Sequence, residues 1–184
     1  MRVLKSFTRV PDDLRGAVFA IGNFDGVHRG HQRVLAEIRA EAYRRGRPAA
    51  ALLFDPHPRV FFAPDNPHFT LTPLPVKLEL LAAAGLDAAV VLPFGAELAA
   101  LPAEEFVERV LVDGLGVAHV AVGEDFHFGR GRGGDVALLQ RLGERHGFGV
   151  GIIRPARDRT GTISSSRVRA ALQAGDVRTA AALL

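Results

Sequence analysis

Residues 19–35 read FAIGNFDGVHRGHQRVL, and the reading of this stretch decides the fold. An apolar run stops at Gly22, a turn carrying His28 and His31 follows, and an amphipathic segment opens directly behind it. Such a pattern is a buried strand delivering into a helix through a short turn, the opening unit of an α/β protein. The two histidines are three positions apart and so share one helix face. Gly30, between them, removes a side chain where another group must come close. A helix start offers unpaired N–H groups and the positive end of a dipole, both of which favour phosphate. Imidazoles beside those N–H groups bind phosphate oxygens and stabilise charge that develops during a displacement.

The same alternation runs outward along the chain. Strands are expected at 17–22, 49–54, 88–94, 117–123 and 149–154, and helices at about 29–45, 75–84, 102–113 and 135–146. A turn at DRTGT precedes two more helices, about 165–174 and 176–184. Near-continuous apolar strands separated by helices form a parallel sheet covered on both faces, and right-handed crossovers make it doubly wound. At 184 residues the chain is expected to be a single domain. The long segment 55–74 argues for a function or a small loop/strand subdomain there. Ligands in such sheets sit beyond the carboxyl ends of the strands. IGNFDGVHRGH, FDPHP and VGEDFHFG each follow an expected strand, so they should converge on one crevice.

Composition narrows the chemistry. There are no cysteines, which excludes disulfides and thiolate metal sites and makes the cytoplasm the default location. No apolar run approaches the ~20 residues that span a bilayer, so no membrane partner is expected. Of the 23 basic residues only Lys5 and Lys77 are lysines; the arginines are scattered, not gathered in a basic run. Arginine suits bidentate phosphate recognition, but a scattered set favours a small phosphorylated ligand over nucleic acid. The glycines are not followed by GK[ST], GNFDG does not match GxGxxG, and zinc sites of the HExxH kind place their histidines four apart. No metal held by protein side chains is expected.

GNFDGVHRGHQ resembles the HxGH nucleotidyltransferase signature, in the form carried by the N-terminal module of bacterial bifunctional riboflavin kinase/FAD synthetases. The resemblance implies a Rossmann-like nucleotidyltransferase fold over residues 1–184 that transfers AMP from ATP to FMN, forming FAD and pyrophosphate with Mg2+ held mainly by phosphates and water. It extends over essentially the whole chain, and the riboflavin kinase domain that usually follows is expected to be absent from it.

Three more segments carry the resemblance. FDPHPRVFF (54–62) is similar to the family's FxPHP element, in which Pro56 and Pro58 would rigidify a strand exit and set Phe54 and Phe62 as walls for a flat flavin. VGEDFHFGRGRGGD (122–135) is similar to the VGxDFxFG loop. Phe126 and Phe128 alternate there as on an extended segment and should point oppositely, one inward and one to the flavin, with Arg130 beside them. Asp125, an acceptor only, is expected to hold a ribose hydroxyl or a ring N–H, and Gly123 to admit nucleotide. ISSSRVRAAL (163–172) is similar to ISSTxxR, with Ser166 where threonine is usual. Arg167 and Arg169 fall in a first helical turn, where the dipole disfavours cations unless an anion is near, and a polyphosphate would be that anion.

The expected nucleotide site is therefore His28, His31, Ser165 and Arg169 as catalytic groups, with Gly22, Asn23, Phe24, Gly30, Gly123, Asp125, Ser164, Ser166 and Arg167 around the ATP. Two rival readings are a sibling HxGH enzyme with another phosphorylated acceptor and a non-catalytic flavin- or nucleotide-binding module. The oligomeric state is left open.

Overall fold

The structure, a computed structural model, describes residues 1–65 and 69–184; Asn66, Pro67 and His68, within the expected 55–74 loop, lie outside the described residues. Six strands form the sheet: β1 (Arg2–Leu4), β2 (Val18–Ile21), β3 (Ala49–Asp55), β4 (Ala88–Pro93), β5 (His119–Gly123) and β6 (Gly149–Ile153). They lie in the order β1-β4-β3-β2-β5-β6 and every neighbouring pair is parallel. The chain leaves β2 for β3 on one side and later returns to pair β5 on the other. The crevice of this doubly wound sheet thus opens at the carboxyl end of β2, where the histidine turn begins. β1 was not expected: three residues, mostly exposed, carry too little periodicity to be read, and pairing with β4 is what orders them.

Helices cover both faces. They are α1 (Arg29–Arg45), α2 (Pro58–Phe62), α3 (Leu74–Ala83), α4 (Ala96–Ala100), α5 (Ala103–Glu105), α6 (Val136–His146), α7 (Ser165–Gln173) and α8 (Val177–Leu183). α5 continues with π-helical bonding over Phe106–Gly114, one residue past the end of the expected 102–113 helix. A small ribbon, β7 (Arg157–Asp158) with β8 (Gly161–Thr162), turns at DRTGT. No described helix is long and apolar enough to cross a membrane.

Strand alternation gives the sheet a core on each face, and Ile163, Val168, Ala171, Ala180 and Leu183 form a third, smaller cluster. Phe19, Ile21, Leu52, Val90, Leu92, Val120 and Val122 pack with Phe106, Val107, Val110, Leu111 and Leu139 on one face. Val18, Ala20, Ala51, Leu53, Ala89 and Ala121 pack with Leu35, Ile38 and Ala42 of α1 and with Leu81 on the other. The alanines of this second face shorten the layer between sheet and helix and let α1 lie against β2, holding its start at the crevice.

Candidate active site

The turn between β2 and α1 has an unusual backbone. Phe24, Gly26 and Val27 all take left-handed φ values, 49°, 83° and 40°. Glycine accepts this readily, whereas Phe24 and Val27, both buried, carry strain of order 1 kcal/mol each. A Cβ on Gly22 would sit 3.3 Å from the Phe24 ring, so Gly22 is where that ring folds back.

Asp25, only 3% exposed, holds the turn. Its carboxylate accepts hydrogen bonds from the Leu71 N–H (3.1 Å), the Thr72 N–H (3.0 Å) and the Thr72 hydroxyl (3.3 Å), and it pairs with the Arg169 guanidinium. The Asp25 carbonyl accepts from the Ser165 hydroxyl at 2.9 Å, and the Gly26 N–H donates to Thr72 Oγ1 at 2.6 Å. Burial alone would raise the Asp25 carboxyl. The hydrogen bonds from Leu71 and Thr72, with the charges of Arg169 and Lys77, outweigh it and hold the group below its ordinary value. Sequence reasoning passed over Asp25. The available signal was a carboxylate inside a motif whose histidines and glycines already accounted for the turn.

His28 caps α1: its Nδ1 accepts the His31 N–H at 3.3 Å. An accepting Nδ1 requires the neutral tautomer with the proton on Nε2. Burial pushes His28 down to about 4. Burial, and then the charges of His28 and Lys77, push His31 well below the usual imidazole value. The two rings stack with centroids 3.7 Å apart and planes 17° apart, and the Phe24 edge meets His31 at 5.2 Å. A Cβ on Gly30 would stand 3.0 Å from His28 Cε1 and 3.3 Å from the Ile163 carbonyl oxygen, so Gly30 admits both the imidazole and the approach to α7. His31 Nδ1 and Asn23 Oδ1 are buried without a hydrogen-bond partner among the described residues. Lys77, also buried, has its pKa lowered by burial against the pull of Asp25 and Asp55.

The α7 start lies against this turn, as the sequence reading required. Ser164 is its N-cap, accepting from the Arg167 N–H at 3.3 Å, and Ser166 is exposed. The arginines correct the expectation. The anions offsetting the helix dipole are carboxylates of the protein itself. Arg169 pairs with Asp25 and also donates to the Phe69 carbonyl. Arg167 binds Asp158 at 2.8 and 3.0 Å, together with the Gly161 and Thr162 carbonyls and the Thr160 hydroxyl. Ser165 likewise spends its proton on Asp25. The dipole argument therefore does not by itself call for a polyphosphate on these residues.

Phe54, Phe61, Phe62, Phe94, Phe106, Phe126 and Phe128 form one connected series. Phe94, directly after β4, meets Phe54, Phe61 and Phe62 edge-on at 5.9, 5.6 and 5.7 Å. Phe54 reaches Phe106 at 6.4 Å, Phe106 reaches Phe128 at 5.8 Å, and Phe128 stacks on Phe126 at 5.5 Å. The FDPHP and VGEDFHFG segments are thus joined through Phe106, while Phe94 ties Phe54 to Phe61 and Phe62; the sequence reading selected neither Phe94 nor Phe106. Phe94 sits one residue past a strand end, the signal already used for the other motifs. Phe62 is 64% exposed at the end of α2, where Pro58 fills the first position; Pro56 follows a cis bond from Asp55. Phe126 and Phe128 do not point oppositely. A turn closed by the Phe126 N–H on the Gly123 carbonyl breaks the extended alternation, and paired bonds with Gly134 draw Phe128 into the core at 7% exposure. Phe128 is therefore packed from within and not an open wall. Asp125 and Arg130 are exposed beside this loop.

A cleft of about 520 Å3 beyond β5 and β6 is lined by Arg33, Glu124, Arg154, Pro155 and Arg157. These three arginines were missed, although Arg154, like Phe94, directly follows a strand. An apolar cavity of about 570 Å3, lined by Leu35, Leu71, Leu80, Leu172 and Leu184 among others, adjoins the turn at Gly26 and Val27 but is lined by neither histidine. No group of three or more His, Asp or Glu side chains among the described residues is arranged to hold a metal ion.

A doubly wound, all-parallel six-stranded sheet with a helix start bearing stacked imidazoles at its switch point defines an α/β protein of the Rossmann-like class. Residues 10–167 match the family described as FAD synthetase, and the chain belongs to that family. It is 42% identical over its full length to a bifunctional riboflavin kinase/FMN adenylyltransferase of Pseudomonas fluorescens, of which it covers 59%. It is 39% identical to a putative protein of the same name from Geobacillus thermodenitrificans, with 93% of this chain and 90% of that one aligned. The chain thus spans about three fifths of the first of these relatives. Among solved structures, one titled a macrolide-efflux protein from Streptococcus pneumoniae shares the fold over 99% of this chain and 60% of that one, with a TM-score of 0.82 at 24% identity.

Proposed function

We propose that this chain transfers AMP from ATP to FMN, giving FAD and pyrophosphate. An oxygen of the FMN phosphate attacks the α-phosphorus of ATP in line. The bond from that phosphorus to the bridging oxygen breaks, and pyrophosphate leaves with the electron pair. The FMN phosphate is already anionic at neutral pH, so no strong base or covalent enzyme intermediate is required. The work is alignment and neutralisation of the leaving group.

The observation that carries this reading is the stacked His28–His31 pair at the α1 start, neutral and set against the α7 start, in a chain of the FAD synthetase family. His28, with its proton on Nε2, donates to a phosphate oxygen without placing a charge in the buried turn, and His31 completes the α/β-phosphate contact. Asn23, Gly22 and the Phe24 backbone line the same approach. Ser164 and Ser166 face the outer phosphates, with Gly123 and Asp125 at the β5 exit. The arginines at the mouth of the β5–β6 cleft add positive charge for a polyphosphate. The Phe94-centred series, open at Phe61 and Phe62, suits the flat apolar face of a flavin, with Phe54, Phe126 and Arg130 along its course.

The residues fit a magnesium ion only as part of the nucleotide. Asp25 is filled by its own hydrogen bonds, and the imidazoles suit phosphate, so the ion would be carried by phosphate oxygens and water. Bound there, it would lower the negative charge of the triphosphate. The proposal covers residues 1–184 as an adenylyltransferase module acting in the cytoplasm on small molecules.

The test is to mix the chain with ATP, magnesium and FMN and to follow FAD and pyrophosphate in equal amounts. FAD formation confirms the reading. Pyrophosphate release with a different phosphorylated acceptor and none with FMN overturns the acceptor assignment; flavin binding without pyrophosphate overturns the catalytic one.

A further inference from the structure

We propose that Asp25 is a positioning residue of the transfer reaction, one that sets the separation of the His28–His31 pair from the α7 start by holding Arg169, Ser165 and the Leu71–Thr72 backbone at once. The inference rests on the reading above, in which both segments work on one nucleotide.

Three parts of the chain, remote in sequence, meet on this one residue. Its carboxylate takes the Leu71 and Thr72 N–H groups, the Thr72 hydroxyl and the Arg169 guanidinium. A carboxylate has about four lone-pair sites, so this set fills it. No position is left for substrate or metal, and any influence on the chemistry must pass through its partners. Its main-chain carbonyl holds Ser165, so side chain and backbone of one residue both reach α7.

The flanking backbone gives the second line of evidence. Phe24 and Val27 are left-handed on either side of Asp25–Gly26, and such conformations persist only where the surroundings over-determine them. His28, the α1 cap, is the next residue after Val27. A turn released at Asp25 relaxes into the His28 backbone and moves the imidazole stack relative to α7. Replacing the carboxylate with an amide removes the charge from a buried ion pair and turns donor against donor at one of its partners.

The test uses the full chain with four variants: Asp25→Asn, Arg169→Gln, the double replacement, and Thr72→Val, which removes only the hydroxyl that bonds Asp25 and Gly26. Measured are kcat and the KM for FMN, FMN affinity by fluorescence titration, melting temperature, and the 15N shifts of the His28 and His31 imidazoles. Asp25→Asn is expected to lower kcat by at least about tenfold with FMN affinity within about twofold, because sub-ångström displacement of aligned groups costs turnover before binding. The double variant is expected to fall little below the worse single one, since the two groups act as a unit. The histidine shifts move, and Thr72→Val gives a smaller loss in the same direction.

A folded Asp25→Asn protein with wild-type kcat and unchanged histidine shifts overturns the proposal, as do losses that multiply in the double variant. Should Asp25→Asn not fold, Thr72→Val and Arg169→Gln decide: wild-type kcat in both overturns it. Should the wild-type chain form no FAD, the functional reading fails, and the histidine shifts still decide whether Asp25 sets the imidazoles.

Discussion

Gly30→Ala separates catalysis from stability within a single methyl group. The added Cβ would lie 3.0 Å from His28 Cε1, 3.1 Å from Nδ1 and 3.3 Å from the Ile163 carbonyl oxygen. Ordinary contact between such atoms begins at about 3.5 Å, so the ring must part from the new methyl by about 0.5 Å and the Ile163 carbonyl by about 0.2 Å. His28 has little room to yield, because it is 5% exposed and already stacked on His31 at 3.7 Å. A shift of that size stretches the 3.3 Å bond from the His31 N–H out of range and removes the α1 cap, a loss of about 1 kcal/mol. Against this, alanine is better than glycine within a helix by up to about 1 kcal/mol. The two nearly cancel, so the melting temperature should stay within ~4 °C of wild type. Turnover has no such compensation: a misplacement approaching 1 Å costs up to ~100-fold, and a loss of about 10- to 100-fold is expected. The assay is FAD formation resolved from FMN by chromatography, run beside a thermal melt. Wild-type turnover in the Gly30→Ala protein would refute the claim that Gly30 exists to seat the His28 ring.

Two further outcomes follow from the geometry. The folded protein keeps His28 neutral down to about pH 4, while the unfolded chain protonates it near its ordinary 6.5. Between those values the unfolded state binds more protons, so stability falls as pH drops from 6.5 toward 4, by about 3 kcal/mol from this group. Urea unfolding of wild type and His28→Asn at pH 7.5 and 5 should show most of that slope missing in the variant; equal slopes would contradict a buried neutral His28. Phe94→Ala removes the ring on which Phe54, Phe61 and Phe62 converge, and should weaken FMN about tenfold while leaving ATP affinity unchanged by calorimetry. Equal weakening of both ligands would mean a general loss of packing.

Residue order alone made the α/β alternation and the parallel sheet legible, along with the strand-to-helix turn that carries His28 and His31. Its helix over 29–45 coincides with α1, and its strand at 49–54 falls one residue short of β3. These features are legible because they rest on short-range physics: apolar periodicity, the residue types of caps and turns, and a glycine where two groups must meet. β1 was not, because three mostly exposed residues become a strand only when β4 is beside them.

Which side chains pair with which emerges only from the folded chain. Asp25 meets Leu71 and Thr72 across 46 and 47 positions and Arg169 across 144, so no local pattern marks the network. The sequence argument placed Arg167 and Arg169 in the first turn of α7 and asked for an anion; Arg167 lies in that turn and Arg169 just beyond it, and the fold supplied carboxylates for both. Phe126 and Phe128 failed for a related reason, since strict alternation holds only on extended chain and a turn at Gly123 intervenes. Side-chain type and spacing state what a segment can do; the crossing of distant segments at a sheet edge determines which of those capacities are spent on the protein and which face the ligand.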